Sequence, residues 1–170
     1  MNKNCRSYPR KSLYLSLTVP MIAIYVVIGV FLWQVARPFF VIYIAFFIIV
    51  AIAQSYVCAY WNCPYIGRFA PCVGGFCLPS SQIARLFRNA RRSERRYNIA
   101  VSLAFASFLG IIILPIYFLY QWSIFYMLIY LGVVFAYGIS FLWLICPVCQ
   151  TRHVCPGGQI STKLRDLITG

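Results

Sequence analysis

The chain has 170 residues, a formal charge of +13, and 62% hydrophobic and 18% aromatic against only 10% charged residues. A soluble domain is about half apolar, so this composition excludes an ordinary globular fold and points to an integral membrane protein. Two acidic residues and one histidine stand beside eight cysteines, which leaves sulfur as the main chemical resource.

In chain order, Lys3, Arg6, Arg10 and Lys11 precede a first uncharged segment, 13–33, and a second follows over 39–61. Two more lie at 99–120 and 122–145. Each is long enough to cross a hydrocarbon layer that needs about 20 helical residues. The first is too long for a secretory h-region and no small-residue cleavage site follows it, so it reads as a retained span. Cys58 falls in the last turn of the second span, and a Cys loop extends over 58–79. Ser80 or Ser81 then caps a predicted basic helix over 80–97, with Ile83, Phe87 and Ala90 on one face and Arg85, Arg88, Arg92 and Arg96 around the others; such a helix is expected to lie in the headgroup layer. A second Cys loop, 146–158, follows the fourth span and leads into a short amphipathic helix with Ile160, Leu164, Leu167 and Ile168 at helical spacing.

The cations set an orientation. They gather before the first span, between spans two and three (Arg68 and Arg85 to Arg96), and after the fourth (Arg152, Lys163, Arg165), while Arg37 alone falls on the other side. The positive-inside rule places both termini and the central loop in the cytoplasm, hence in a cytoplasmic (inner) membrane. The outer connections, at 34–38 and at Gln121, are short enough to make each helix pair an antiparallel hairpin. Membrane lipid accounts for the positive charge, and no nucleic acid is implied; a docking site for an acidic electron carrier is the sharper alternative.

An internal repeat organises the chain. Laying Cys63 on Cys146 aligns CPYIGRFAPCVGG with CPVCQTRHVCPGG, so that Pro64 meets Pro147, Cys72 meets Cys155, and Gly74-Gly75 meets Gly157-Gly158. The expected fold is therefore all-α: four transmembrane helices as two tandem αα-hairpin repeats, 1–97 and 98–170, related by a pseudo-twofold along the membrane normal, with Cys-rich cytoplasmic loops.

In a reducing compartment a dense set of thiols reads first as metal binding or redox chemistry. The candidate ligands are Cys58, Cys63, Cys72, Cys77, Cys146, Cys149 and Cys155, with His153 or Cys5 as supplements. Cys146, Cys149, His153 and Cys155 also form a three-sulfur, one-nitrogen set with tetrahedral zinc spacing. Ordinary packing accounts for Cys58 and Cys5 as well as ligation does, and an exposed loop accounts for His153.

The run CVGGFCLPSSQIARLFRNARR, from Cys72 to Arg92, followed by span three, resembles the membrane-embedded iron–sulfur proteins of the NapH, NosR and CcoG type. CQTRHVCPGGQISTKL, from Cys149 to Leu164, is similar to the second motif of those proteins. Four residues separate Cys72 from Cys77 and five separate Cys149 from Cys155, where the family has Cys-x3-Cys-Pro, and the soluble ferredoxin module of many relatives is absent. The resemblance implies Cys72, Cys77, Cys149 and Cys155 as ligands of an iron–sulfur centre of the 4Fe-4S kind, and electron transfer between the quinone pool and a redox-partner protein or complex. Four thiolates complete one such cluster.

The absences narrow the choice. No pair of histidines is present for a membrane-spanning haem, and the spans hold only neutral polar groups such as Gln54, Ser55, Ser102, Ser107 and Ser140, whereas ion transporters usually place a carboxylate or base there. Tyr43, Tyr117, Tyr120, Tyr126 and Tyr130 could line a quinone pocket between helices, but aromatic packing in lipid accounts for them better, and no quinone ligand is assigned. Two other functions stay open: a structural or assembly protein with a zinc-stapled cap, and a thiol-based handler of metals or sulfur.

Overall fold

In the computed structural model of the chain, the residues described are 10–63, 65–66, 76–87, 93–149, 153 and 155–169. They are helical with no strand among them: α1 (Lys11–Val35), α2 (Arg37–Tyr60), α3 (Cys77–Ile83), α4 (Glu94–Trp122), α5 (Ile124–Ser140) and α6 (Pro156–Thr169). α5 continues as a π-helical segment, Phe141–Ile145, and a 3-10 turn, Cys146–Val148. Four helices are long and apolar enough to cross a membrane: α1, α2, α4, and α5 with its continuation to Val148. The boundaries agree with the four uncharged segments read from the sequence to within a few residues.

Each pair of long helices turns on one residue. Ala36 separates α1 from α2, where Pro38 in the first turn of α2 fits a position whose N–H needs no helical partner. Ser123 separates α4 from α5 in an extended conformation, and its side chain accepts from the Phe125 N–H at 3.3 Å.

The inner face of α1 is a heptad-like stripe, Tyr14, Thr18, Met21, Tyr25, Ile28 and Leu32, all buried, while Val19, Val26, Val27 and Val30 are exposed. Outward apolar residues of this kind suit lipid, and the buried stripe supplies the packing that holds helices together where lipid is equally apolar. The most extensive seam is α2 against α4, and the two run antiparallel. Phe39 meets Phe118 edge-on at 4.9 Å between ring centroids at one end, and Tyr60 stacks on Tyr97 at 4.6 Å at the other. Gly110 makes the seam close, since a Cβ there would stand 2.6 Å from the Phe46 ring.

The start of α1 meets the end of the fourth span. Arg10 Nη1 donates to the Leu144 carbonyl at 2.9 Å and Tyr14 packs edge-on against Phe141. One end of the bundle thus collects the start of α1, the end of α2, the start of α4 and the end of α5's continuation. At the opposite end Trp122 stacks on Phe31 at 5.1 Å, and the Arg37 guanidinium lies 5.4 Å from the Trp33 ring centre. Trp33, Trp61, Trp122 and Trp143 are exposed near helix ends, as rings at a water–lipid boundary are.

The basic helix expected over 80–97 is divided. α3 covers Cys77–Ile83, turns follow through Phe87, and Arg95 and Arg96 belong to α4; Arg88 and Arg92 lie outside the described residues. Nor does α3 lie flat beyond the bundle, as expected of a headgroup helix. It stands beside α2 and runs in the same direction: Phe76 contacts Phe47, Ser80 Oγ donates to the Ala51 carbonyl at 3.2 Å, and Phe87 contacts Tyr56. The physical reason is a face the sequence pattern hid. Phe76, Ser80 and Ala84 recur every fourth residue, all three are buried, and the small Ser80 and Ala84 let the backbones approach. At ~1.5 Å of rise per residue, Phe47 lies about 20 Å below the end of α2, so α3 begins well down the side of α2. α6 packs in a related way against the end of the fourth span, where Ser161 Oγ donates to the Leu142 carbonyl at 2.7 Å.

Candidate sulfur site at one end of the bundle

All the cysteines whose side chains are described, Cys58, Cys63, Cys146, Cys149 and Cys155, belong to the chain at or just beyond the ends of α2 and α5's continuation, and none is in a disulfide. Two different local structures produce them.

The first is the end of α2. Asn62 has φ of 47°, the left-handed conformation that Asn tolerates better than most residues. This lets the Cys63 N–H reach back to the Cys58 carbonyl at 3.0 Å and the Asn62 N–H reach the Ala59 carbonyl at 3.2 Å. That pair of bonds is a Schellman motif, which sets the third residue from the helix end against the second residue beyond the cap. In most helices that contact is apolar. Here both residues are cysteines, so the motif sets their two side chains near one another. The Cys63 thiol is consequently held protonated far above the usual thiol range: the hydrogen bond with Cys58 contributes most, burial next and the nearness of Cys58's charge third, with a backbone hydrogen bond at Tyr65 acting in the opposite direction. Cys58 does sit in the last turn of the second span, as expected, but it is paired rather than a solitary packing residue.

The second is the disturbed end of the fourth span. Pro147 has no N–H to give and its ring crowds the carbonyl one turn back. The helix widens to π geometry over Phe141–Ile145 and tightens to a 3-10 turn over Cys146–Val148, where the Cys149 N–H reaches the Cys146 carbonyl at 3.2 Å. Cys146 is buried, Cys149 half-buried and Cys155 exposed, and both of the latter are close enough to Cys146 to act on it electrostatically. Gln159 ties the following loop: its backbone N–H donates to the Cys155 carbonyl at 3.0 Å and its side-chain Nε2 to the His153 carbonyl at 2.9 Å. His153 is exposed.

The remaining candidates lie elsewhere. Cys5 and Cys72 are outside the described residues, and Cys77 is described only as the first residue of α3. Among the described residues no three His, Cys, Asp or Glu side chains form a group that could hold a metal ion. The described thiols lie as Cys58 and Cys63 at one half and as Cys146, Cys149 and Cys155 at the other. Of the four cysteines implied by the family resemblance, Cys149 and Cys155 are described with their side chains, and both lie at the same end.

The tyrosines divide as well. Tyr43 and Tyr130 are buried in the core, where Tyr43 donates to the Tyr25 carbonyl at 3.5 Å and Tyr130 to the Ile112 carbonyl at 3.3 Å, while Tyr117, Tyr120 and Tyr126 are exposed. These five do not line one pocket. Sequence reasoning missed Asn62, Gly110 and Ser161, and gave Ser80 a capping role instead of its tie to α2. Asn just past a helix carried a usable stop signal; the serine and glycine roles depend on a partner helix and left no local trace.

No protein-family model, curated protein or solved structure matches the chain.

Proposed function

We propose that this chain is an electron-transfer protein, or a subunit of an electron-transfer complex, of the cell's inner membrane, with an iron–sulfur centre at the cytoplasmic face that links the quinone pool to a redox-partner protein. The observation that carries the reading is the gathering of thiols from both halves of the chain at one end of a four-span bundle. Soft sulfur ligands select thiophilic metals and iron–sulfur clusters. In this reading Cys72 joins the described thiols as a ligand, the four-span chain is a tandem duplication of one hairpin with a Cys loop, and the sulfur end faces the cytoplasm. The duplication is supported by the alignment of Cys63, Pro64, Cys72 and Gly74-Gly75 with Cys146, Pro147, Cys155 and Gly157-Gly158. The orientation is supported by Lys11, Arg10, Arg95 and Arg96 at the sulfur end against Arg37 at the other.

Anaerobic purification followed by iron, labile-sulfide and zinc analysis, visible absorption and EPR tests the proposal. Iron with labile sulfide and an EPR signal on reduction is the expected result. Stoichiometric, colourless zinc would instead make the chain a structural or assembly protein with a stapled cap. A metal-free, readily alkylated thiol set would make it a thiol-based protein.

A further inference from the structure

We propose that Cys58 and Cys63 form a dithiol that closes reversibly to a disulfide by exchange with a small-molecule disulfide, a two-electron sulfur couple that requires no metal. This goes beyond the electron-transfer reading and stands without it.

The geometry comes from the helix cap. A disulfide needs Cα atoms roughly 4.4–6.8 Å apart and facing side chains. The 3.0 Å bond from the Cys63 N–H to the Cys58 carbonyl holds the two backbones close to that reach, and the turn sets the side chains of the two residues against one another. Closure then asks only for side-chain rotation, because Asn62 has already turned the chain back on itself. Both thiols are half-buried, so an exchange partner can reach them from the end of the bundle.

The step balances as follows. The Cys58 sulfur gives up its proton and attacks one sulfur of the external disulfide; a mixed disulfide forms and one thiolate leaves, taking up that proton. The Cys63 sulfur then attacks the Cys58 sulfur, the mixed S–S bond breaks, the second external thiol leaves with the second proton, and the Cys58–Cys63 bond forms. The dithiol has lost two electrons and two protons, and the external disulfide has become two thiols.

The test uses the full chain in lipid nanodiscs, equilibrated without oxygen in glutathione buffers of graded potential, alkylated, and mapped by mass spectrometry. The expected result is joint loss of alkylation at Cys58 and Cys63 in oxidising buffer, a linked 58–63 peptide, and recovery in reducing buffer. Cys63→Ser should leave a glutathione adduct trapped on Cys58. Asn62→Pro, which forbids the left-handed turn, should abolish the joint loss, whereas Asn62→Gly should keep it. Separate alkylation of the two residues at every potential, or pairing with other cysteines, would overturn the proposal. Iron and sulfide measured on the same samples keep the two readings apart: closure in iron-free protein counts against the cluster alone, and iron-loaded protein with both thiols shielded throughout counts against the dithiol alone.

Discussion

The close seam between α2 and α4 makes Gly110→Ala the most informative single substitution in the bundle. The added Cβ would stand 2.6 Å from Phe46 Cε2 and 2.9 Å from Cδ2 and Cζ, whereas carbon atoms settle at about 3.5–4.0 Å. The ring, or the whole helix, must withdraw by about 1 Å, and Phe46 is itself packed against the buried core. Overpacking of this kind costs roughly 1–3 kcal/mol, against a gain of about 0.8–1 kcal/mol for Ala over Gly in a helix. A net loss of about 1 kcal/mol is expected, and Gly110→Leu, with the same gain and a larger intrusion, should lose more than about 2 kcal/mol. Reversible unfolding in mixed micelles, followed by circular dichroism over a denaturing-detergent titration, measures both. Gly132→Ala and Gly138→Ala are the controls: nothing lies within 4 Å of a Cβ at either position, so they should be neutral or slightly stabilising. In the cycle with Phe46→Ala, the penalty at position 110 should disappear. If Gly110→Ala unfolds like Gly132→Ala, or the cycle shows no coupling, the α2–α4 packing described above is wrong.

Ser80→Ala removes the tie of α3 to the Ala51 carbonyl; because Ser55 also donates to that carbonyl, the acceptor is not stranded, and a loss of about 1 kcal/mol should show as faster amide exchange confined to 76–87. Ser161→Ala should weaken α6 on the Leu142 carbonyl in the same way, read by exchange or proteolysis over 156–169. The Cys63 thiol holds its proton above the usual range, so its alkylation at pH 8 should be much slower than that of a model thiol and climb with pH; Cys58→Ser, which removes the largest cause, should raise the rate at pH 8, and equal rates in the two proteins would contradict the thiol pair. The same shift has a sign for stability: the folded chain binds the Cys63 proton more tightly than the unfolded chain, so its contribution is complete below the ordinary thiol pKa of about 8.5 and is lost as pH rises above it. Denaturation midpoints should therefore fall on the alkaline side more steeply in the parent than in Cys63→Ser.

How much could be read in advance depended on the range of the interaction. The four spans were legible because burial in hydrocarbon demands long uncharged runs whatever the partners, and Arg37-Pro38 and Ser123 mark the turns locally. Cys58 in the last turn of α2 followed from the same count. The contact between Cys58 and Cys63 did not, because it depends on one left-handed residue, Asn62, whose φ decides whether the chain runs on or folds back. α3 was misjudged for a related reason. The arginines made its outward face conspicuous, while the face that matters, Phe76, Ser80 and Ala84, is defined by Phe47 and Ala51 on another helix. By itself, then, the sequence determined an all-helical, four-span chain rich in thiols, since composition and hydrophobic length act residue by residue. Which helices press together at Gly110, how far down α2 the short helix α3 sits, and which cysteines are brought together were decided only by tertiary structure, because each is a fit between surfaces far apart in the chain or set by a single backbone angle.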